Sequence, residues 1–300
     1  MVDLDLRPLS LGEILDRTFS LYRRNFLLFV GIAALPHLLV LVLTLTQTVV
    51  LPAFGRQTSP LNGQLFAGGA LVIVIWVARI LAYMFSQGGT VYGVSELYLG
   101  RQIGIAQSFG RLRGELGNLF GILFFNSILV FAAAVICFAA GILGGMPGLA
   151  LLGLVLLVFP GFYFACRLMV CVPAGLLENI GPWTSVERSF SLTKGTVLRP
   201  LVIYVLYLVL LYAASSLLSW PFLFAIANAQ KDPGMLRVWL SLTQVGAFIA
   251  ETLVSPVLTI AAAVYYYDLR VRKEAFDLQF MMNPMGPIAL GALGVAKTFS

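Results

Sequence analysis

The sequence predicts an all-α integral membrane protein. Six transmembrane helices are expected, in three repeated units of an amphipathic interfacial helix followed by a transmembrane hairpin. Of the 300 residues, 60% are hydrophobic and 11% are charged, whereas a soluble domain has about 25% charged residues. The charged residues are clustered, so long uncharged runs separate them. A short charged motif also occurs twice, as DRTFSL at 16–21 and ERSFSL at 187–192.

Six apolar segments are long enough to cross a bilayer, for which about 20 mainly apolar residues are needed. The second segment leaves room to continue as a helix towards Leu99, because TVYGVSELYL stays half apolar. The third and fourth are joined by GILGGMPG, a short turn sequence that predicts an antiparallel hairpin. The predicted spans are 26–51, 65–86, 119–141, 148–171, 200–223 and 241–267.

The basic residues predict the orientation of these spans. Of the 19 lysine and arginine residues, only Arg56, Lys231 and Arg237 fall on the side opposite the N-terminus, and Arg79 falls within a span. Loops rich in lysine and arginine stay in the cytoplasm. We therefore expect a multi-pass protein of a bacterial-type inner (plasma) membrane, with both termini cytoplasmic.

An amphipathic segment precedes each pair of spans, at about 10–25, 104–118 and 184–197. In the first segment, the spacing of Ser10 and Glu13 predicts a capping box, and Thr184 and Glu187 repeat that spacing in the third. The apolar stripe predicted for the first helix is Leu11, Leu15, Phe19, Tyr22 and Phe26.

Such helices can lie in the membrane interface, with their apolar stripe against acyl chains and their cations at anionic head groups. The alternative is that they only brace the helix bundle. Both interpretations can hold for different faces of one helix. The candidate lipid-contact residues are Arg17, Arg23, Arg24, Arg111, Arg113, Arg188 and Lys194.

Polar residues inside the predicted spans form a second candidate site. Arg79 and Glu251 are expected at similar depth, where a charge usually faces protein or water and finds a partner. We predict that they approach each other or share a polar cavity. The alternatives are a pair that fixes helix register, a substrate or ion site, and no contact. His37 is the third candidate, as a packing residue or a proton relay.

Three stretches carry a resemblance to a known family: RPLSLGEILDRTFSLYRRNF near the start, VPAGLLENIGPWTSVERSFSLTKG at 172–195 and YYYDLRVRKEAFDLQF at 265–280. They resemble the membrane-domain family of glycerophosphoryl diester phosphodiesterases, with Ala275 where that pattern has glycine. The resemblance covers about 1–280, the single six-span membrane domain predicted above, and implies a stand-alone member of the family without the soluble catalytic domain. Residues 281–300 are then predicted to be a flexible C-terminal tail.

The residues predict neither an enzyme nor a cofactor or metal site. Metal-dependent phosphodiester hydrolysis uses histidines and several convergent carboxylates, and the chain has one histidine. An enzyme acting on lipids would require Glu178, Asp268 or similar acids around one cavity. Instead, the spacing of Asp268 with Arg272 and of Arg270 with Glu274 predicts salt bridges at a wet helix surface.

The function expected from these features is a lipid-engaging scaffold or regulatory membrane domain for an envelope or lipid-metabolism protein. Its expected partners are membrane lipids with anionic head groups on the cytoplasmic side, and a separate protein or a second copy of the chain. Nucleic acid is not an expected partner. The alternative is a transporter or channel for a lipid-like or small amphiphilic solute, with its polar site near Arg79 and Glu251.

Overall fold

The computed structural model describes residues 8–50, 61–98, 101, 103–143, 145, 147–229 and 232–274. No β-strand occurs among them, as predicted, and the predicted tail at 281–300 lies outside them. A π-helical turn at Thr46–Val50 extends the second helix. The α-helices are α1 (Leu11–Arg24), α2 (Phe26–Leu45), α3 (Leu61–Tyr98), α4 (Ile105–Leu112), α5 (Leu116–Leu143), α6 (Pro147–Leu168), α7 (Cys171–Leu177), α8 (Pro182–Thr193), α9 (Leu198–Asn228) and α10 (Pro233–Glu274).

Four helical segments within the described residues are long and apolar enough to cross a membrane: Phe26–Val49, Ala70–Tyr98, Leu198–Ala227 and Pro233–Glu274. They contain most of the first, second, fifth and sixth predicted spans. The second span does continue, as one unbroken helix to Tyr98. Length and composition therefore identify a helical membrane protein.

The third and fourth predicted spans coincide with α5 and α6, which pack against each other as a hairpin. Gly145 in the connecting turn has a positive φ of 63°, a conformation that glycine adopts at little cost. Many side chains in the middle of this hairpin lie outside the described residues, so its crossing of the membrane stays a prediction. The hairpin meets the rest of the molecule mainly through α7 and α8.

The two longest helices extend beyond a bilayer. At 1.5 Å per residue, the 38 residues of α3 and the 42 residues of α10 span about 57 and 63 Å, against a hydrocarbon core of about 30 Å. The first part of each described helix exposes large apolar side chains, such as Ile73 and Trp76 on α3 and Met235 on α10. The second part of each is buried, including 88–96 and 259–271.

The short helices α1, α4, α7 and α8 surround these buried parts and form what we call the short-helix layer. Helix α1 packs on α10, α4 packs on α3, and α8 packs on α5 and α7. Tyr265 and Tyr266 of α10 are completely buried at its centre. The short helices and the buried ends of α3 and α10 together contain most of the hydrophobic core.

The boundaries and buried faces of the amphipathic helices differ from those predicted. The second ends at Leu112, followed by a 3-10 turn, Arg113–Glu115, and the third occupies Pro182–Thr193 instead of 184–197. The capping box of Ser10 and Glu13 is confirmed, with Ser10 N donating to Glu13 Oε2 at 2.6 Å and Glu13 N to Ser10 Oγ at 3.3 Å.

The prediction of a capping box formed by Thr184 and Glu187 is wrong. Gly181 caps this helix without a side-chain bond, and Pro182 opens it. Proline favours the first helical position because its missing N–H would have no partner there. Glu187 accepts a hydrogen bond from Trp183 Nε1 at 2.7 Å.

The buried face of α1 is rotated from the predicted stripe. Ile14, Thr18 and Leu21 are buried, whereas Phe19 is exposed, as is Phe26 at the start of α2. Thr18 can be buried because its hydroxyl donates to Ile14 O at 2.7 Å. Part of the predicted apolar stripe is thus left on the surface.

Candidate functional site

The predicted lipid-contact residues divide into two groups. Three of them contact other parts of the protein: Arg17 donates to Tyr98 Oη at 2.9 Å, Arg111 pairs with Glu96, and Arg188 pairs with Glu178. These contacts support the bracing alternative for one face of each short helix.

The other four predicted lipid-contact residues, Arg23, Arg24, Arg113 and Lys194, are exposed. No hydrogen bond or ion pair joins any of their side chains to the described residues. On α1, Arg23 lies four residues after the exposed Phe19 and three before the exposed Phe26. The helix thus presents a basic and aromatic face away from its buried one.

Tyr22 lies at the border between these two faces of α1. Burial raises the pKa of its phenol to about 12. The phenol stays protonated at physiological pH and donates a hydrogen bond to Leu253 O at 2.7 Å. This bond connects α1 to the middle of α10.

An ionic cluster joins α8 to the end of α10. Arg188 Nε and Nη2 donate to both carboxylate oxygens of Glu178 at 2.9–3.1 Å, and Nη2 also donates to Glu274 at 2.8 Å. Arg270 Nε donates to Glu274 at 3.2 Å, and Tyr266 Oη donates to Glu178 at 2.8 Å. Burial alone would lower the pKa of Arg188, but hydrogen bonds and charge from Glu274 and Glu178 outweigh it and raise that pKa.

A second ionic cluster surrounds Asp268, whose side chain is 0% exposed. Leu9 N donates to Asp268 Oδ1 at 2.7 Å, Arg199 Nη1 to Oδ2 at 3.1 Å, and Arg272 Nε to both oxygens at 3.0 and 2.9 Å. The predicted salt bridges of Asp268 with Arg272 and of Arg270 with Glu274 are therefore present. The prediction that these salt bridges lie at a wet helix surface is wrong for Asp268, because this residue is buried beneath the N-terminal segment.

In the apolar part of the molecule, the structure brings Arg79 and Glu251 together. Arg79 Nη1 lies 3.9 Å from Glu251 Oε1, and the side chains are 49% and 45% exposed. His37 does not join this pair by any hydrogen bond or ion pair in the described part of the chain. Its Nδ1 lies 2.8 Å from Ala33 O, one turn earlier in the same helix, which favours the packing interpretation.

A cleft of about 460 Å³ lies between the end of α3 and α4. Its carboxylate, Glu96, is 3% exposed and pairs with Arg111, with Arg101 Nη1 at 4.0 Å. The acid is therefore neutralised and has little access to a reactant. The lining residues are Glu96, Arg101, Ile103, Gln107, Gly110 and Arg111.

Glu178 and Asp268 belong to separate clusters, each neutralised by arginine. Among the described residues, no group of three or more histidine, cysteine or acidic side chains could hold a metal ion. Cys166 and Cys171 are buried free thiols.

Sequence reasoning missed some residues of the ionic clusters. Arg199, one of the basic residues on the side of the N-terminus, directly precedes the predicted span at 200–223 and reaches Asp268 from the start of α9. The tyrosines of the YYYDLR stretch were noted only for the resemblance, yet Tyr265 Oη donates to Thr196 Oγ1 at 3.0 Å and Tyr267 Oη to Ser95 Oγ at 3.1 Å. The available signal was the density of hydrogen-bonding groups at the end of a very apolar helix.

Comparisons with known proteins return no relative. No family model matches the chain. No curated protein and no solved structure matches it either.

Proposed function

We propose that this chain is a non-catalytic, multi-pass membrane protein that engages anionic lipids and acts as a scaffold or regulatory membrane domain. The observation that carries the proposal is the two-sided character of α1. One face, with Ile14, Thr18 and Leu21, is buried in the protein, and the other presents Arg23 and Phe19 to the surroundings. A purely bracing helix would have no need of exposed aromatic and basic side chains beside a membrane helix.

The proposed topology has six spans, with the α5–α6 hairpin as the middle pair and a short helix preceding each pair. The short-helix layer then lies on the cytoplasmic side of a bacterial-type inner membrane, together with both termini. The strong basic bias of that side supports this orientation. The partner is a protein of the envelope or of lipid metabolism, or a second copy of the chain.

Membership of the glycerophosphoryl diester phosphodiesterase membrane-domain family is part of the proposal. It rests on the three sequence stretches that resemble the family. The non-catalytic role is supported by the ion pairs of Glu178 and Asp268 with arginines, which compensate the negative charge of each carboxylate.

The test is affinity purification of the full chain in mild detergent, followed by mass spectrometry of the lipids and proteins retained. We expect anionic lipids to be enriched over their share in the source membrane. The variant Arg23→Gln/Arg24→Gln should reduce this enrichment, and Asp16→Asn, on the exposed side of the same helix, should not. Lipids retained in the proportions of the source membrane would contradict lipid engagement.

Transport of a small amphiphile is the second candidate function. It is supported by the 3.9 Å separation and half-exposed state of Arg79 and Glu251 within otherwise apolar surfaces. A charge in the bilayer centre costs about 2.5–3.5 kcal/mol on insertion scales, so the pair needs protein, water or solute around it. Retention of a single small solute in the same purification, lost in Arg79→Gln, would favour this function.

A further inference from the structure

Three cations converge on the last turn of α8. Lys194 is the C-cap residue of this helix. Lys273, from the last turn of α10, donates from Nζ to Ser191 O at 3.2 Å and to Lys194 O at 2.9 Å. Arg167, from the last turn of α6, places its guanidinium carbon 4.9 Å from the ring centroid of Phe190. Three helix ends therefore meet at one point of the short-helix layer.

These cations differ from the other basic residues nearby. Arg167 Nε is buried and has no hydrogen-bond partner in the described part of the chain. Burial, together with the nearby charges of Arg167 and Lys194, lowers the pKa of Lys273. Within the described residues, none of the three forms an ion pair with a carboxylate. The neighbouring arginines that do so are Arg188, Arg199, Arg270 and Arg272.

The partial negative charge at the end of α8 explains only part of this arrangement. Cations near a helix C-terminus are favourable, and a lysine can bond the last carbonyl groups. That accounts for Lys273, which makes both such bonds. Among the residues that the structure describes, it leaves the buried Nε of Arg167 without an acceptor and the exposed side chain of Lys194 without a counter-charge.

Apolar surface adjoins the cations on the side of the membrane helices. Tyr163, one turn before Arg167 on α6, is half exposed, and Leu198, at the start of α9, is 73% exposed. The two helices meet at Phe162 and Tyr204, whose ring centroids are 6.0 Å apart. Tyr163 and Leu198, which we call the apolar path, thus lie four residues from Arg167 and from Lys194, respectively.

We propose that Arg167, Lys194 and Lys273 bind the phosphate of one anionic glycerophospholipid, whose acyl chains lie along Tyr163 and Leu198. The proposal rests on the lipid engagement proposed above and gives it a specific site. Arginine and lysine donors suit phosphate oxygens, and an ionised acceptor makes the stronger kind of hydrogen bond. The apolar path selects an amphiphile over a soluble anion.

The test uses the full chain purified in detergent containing phosphatidylglycerol and phosphatidylcholine. Native mass spectrometry after extended washing measures the lipid that stays bound. We expect one phosphatidylglycerol per chain in the wild type. In Arg167→Gln/Lys194→Gln/Lys273→Gln its retention should fall at least about tenfold, because each cation near a membrane surface attracts anionic lipid.

The matched control is Arg23→Gln/Arg24→Gln/Arg113→Gln, which removes the same charge from exposed positions elsewhere in the layer. It should keep the tightly bound phosphatidylglycerol, although loosely held anionic lipid decreases. Lys194→Gln alone guards against misfolding of the triple variant, because the exposed Lys194 side chain makes no hydrogen bond or ion pair with the described residues. This single variant should show a smaller fall in the same direction.

Four results would overturn this site. The triple variant could keep the bound phospholipid, or the control could lose it equally, which would show a general charge effect. Inorganic phosphate could displace the lipid, which would identify a site for a free anion. If anionic lipid stays enriched in the mild-detergent purification but none survives washing, this site is wrong and the broader function stands. If no enrichment is found at all, the proposed function itself fails.

Discussion

The carboxylate of Asp268 accepts hydrogen bonds from two distant parts of the chain, the backbone of Leu9 and the side chain of Arg199, and from Arg272, one turn further along α10. Its side chain is completely buried. An unpaired buried charge is much more costly than an exposed one, so each arginine depends on this acid. The residue connects the N-terminal segment, α9 and α10.

Replacing Asp268 with asparagine should destabilise the protein strongly. Two arginines, 28% and 30% exposed, would lose their counter-charge. We expect a loss near the lower end of the about 3–5 kcal/mol that removing one partner of a fully buried pair costs. The measurement is the thermal unfolding midpoint in detergent, followed by near-ultraviolet circular dichroism. Asp16→Asn, on the exposed side of α1, serves as the control and should leave the midpoint unchanged. A stable Asp268→Asn variant would show that the cluster contributes little.

The importance of the contact between Arg79 and Glu251 can be tested by charge reversal at these two residues. Each charge reversal alone, Arg79→Glu or Glu251→Arg, should lower the unfolding midpoint, because like charges would then face each other. The effect should be about 1 kcal/mol, since half-exposed pairs are weak. The double reversal should restore the midpoint.

The double reversal also separates two roles for the pair. A pair that only fixes helix register should recover fully when the charges are exchanged. A pair that binds a solute should recover stability and lose solute retention. If single and double reversals all behave as the wild type, the contact has no importance for either role.

Helices α9 and α10 pack closely along much of their length. A Cβ atom added at Gly246 would lie 2.7 Å from the backbone carbonyl oxygen of Leu218 and 3.3 Å from Ser219 Oγ. Backbone atoms cannot rotate away as a side chain can. The absence of a side chain at this position therefore determines the distance between the two helices.

Gly246→Ala is expected to destabilise the helix pair by about 1–3 kcal/mol, the usual range for an overpacked contact. The matched control is Gly117→Ala on α5, where an added Cβ meets no atom of the described residues within 4 Å. Thermal unfolding in detergent measures both. The control should be neutral or slightly stabilising, because alanine favours helix over glycine. Equal effects at both positions would contradict the close packing.

Helix identity could be predicted better than helix boundaries and faces. Long apolar runs predicted α2, α3, α9 and α10, because crossing a bilayer constrains both length and composition. The sequence predicted that α3 could continue towards Leu99, but it could not predict that the ends of α3 and α10 form a buried core. Their ends contain residues such as Glu96 and Asp268, which are polar in isolation and become buried only when arginines from other helices neutralise them.

The short helix α7 shows the same limit. All seven residues of CVPAGLL are buried, but the sequence predicted them as the end of a span and the connection after it. Their apolar character resembles a membrane segment, and only the turn at Met169 and Val170 separates them from α6. Local composition cannot distinguish burial in lipid from burial in protein.

At the scale of the whole molecule, exposed apolar side chains and buried polar ones lie at opposite ends of α3 and α10. Trp76 on α3 and Met235 on α10 are exposed at one end, whereas Glu96 and Asp268 are buried at the other. This distribution of side chains is expected if one end of each of these two helices lies in the bilayer and the other end lies outside it. With six spans, the short-helix layer would lie on the same side as both termini.

Cysteine labelling in intact and opened cells tests that topology. In a background with Cys137, Cys166 and Cys171 replaced by alanine, Gly110→Cys and Glu187→Cys should react only after the inner face becomes accessible. Asp232→Cys should react from the outside and is the control for reagent access.

Labelling of Gly110→Cys or Glu187→Cys from the outside would contradict the orientation. Opposite sidedness for these two positions would contradict the even number of spans between them.

The bond between Leu9 and Asp268 joins residues 259 positions apart. At a synthesis rate of about 5–20 residues per second, the N-terminal helix leaves the ribosome roughly 10–50 s before its acceptor exists. During that interval Ile14 and Leu21 cannot yet pack against α10. We therefore expect the nascent helix to lie on the lipid surface until α10 has been made. The packing of α1 against α10 would then be the last step in the assembly of this protein.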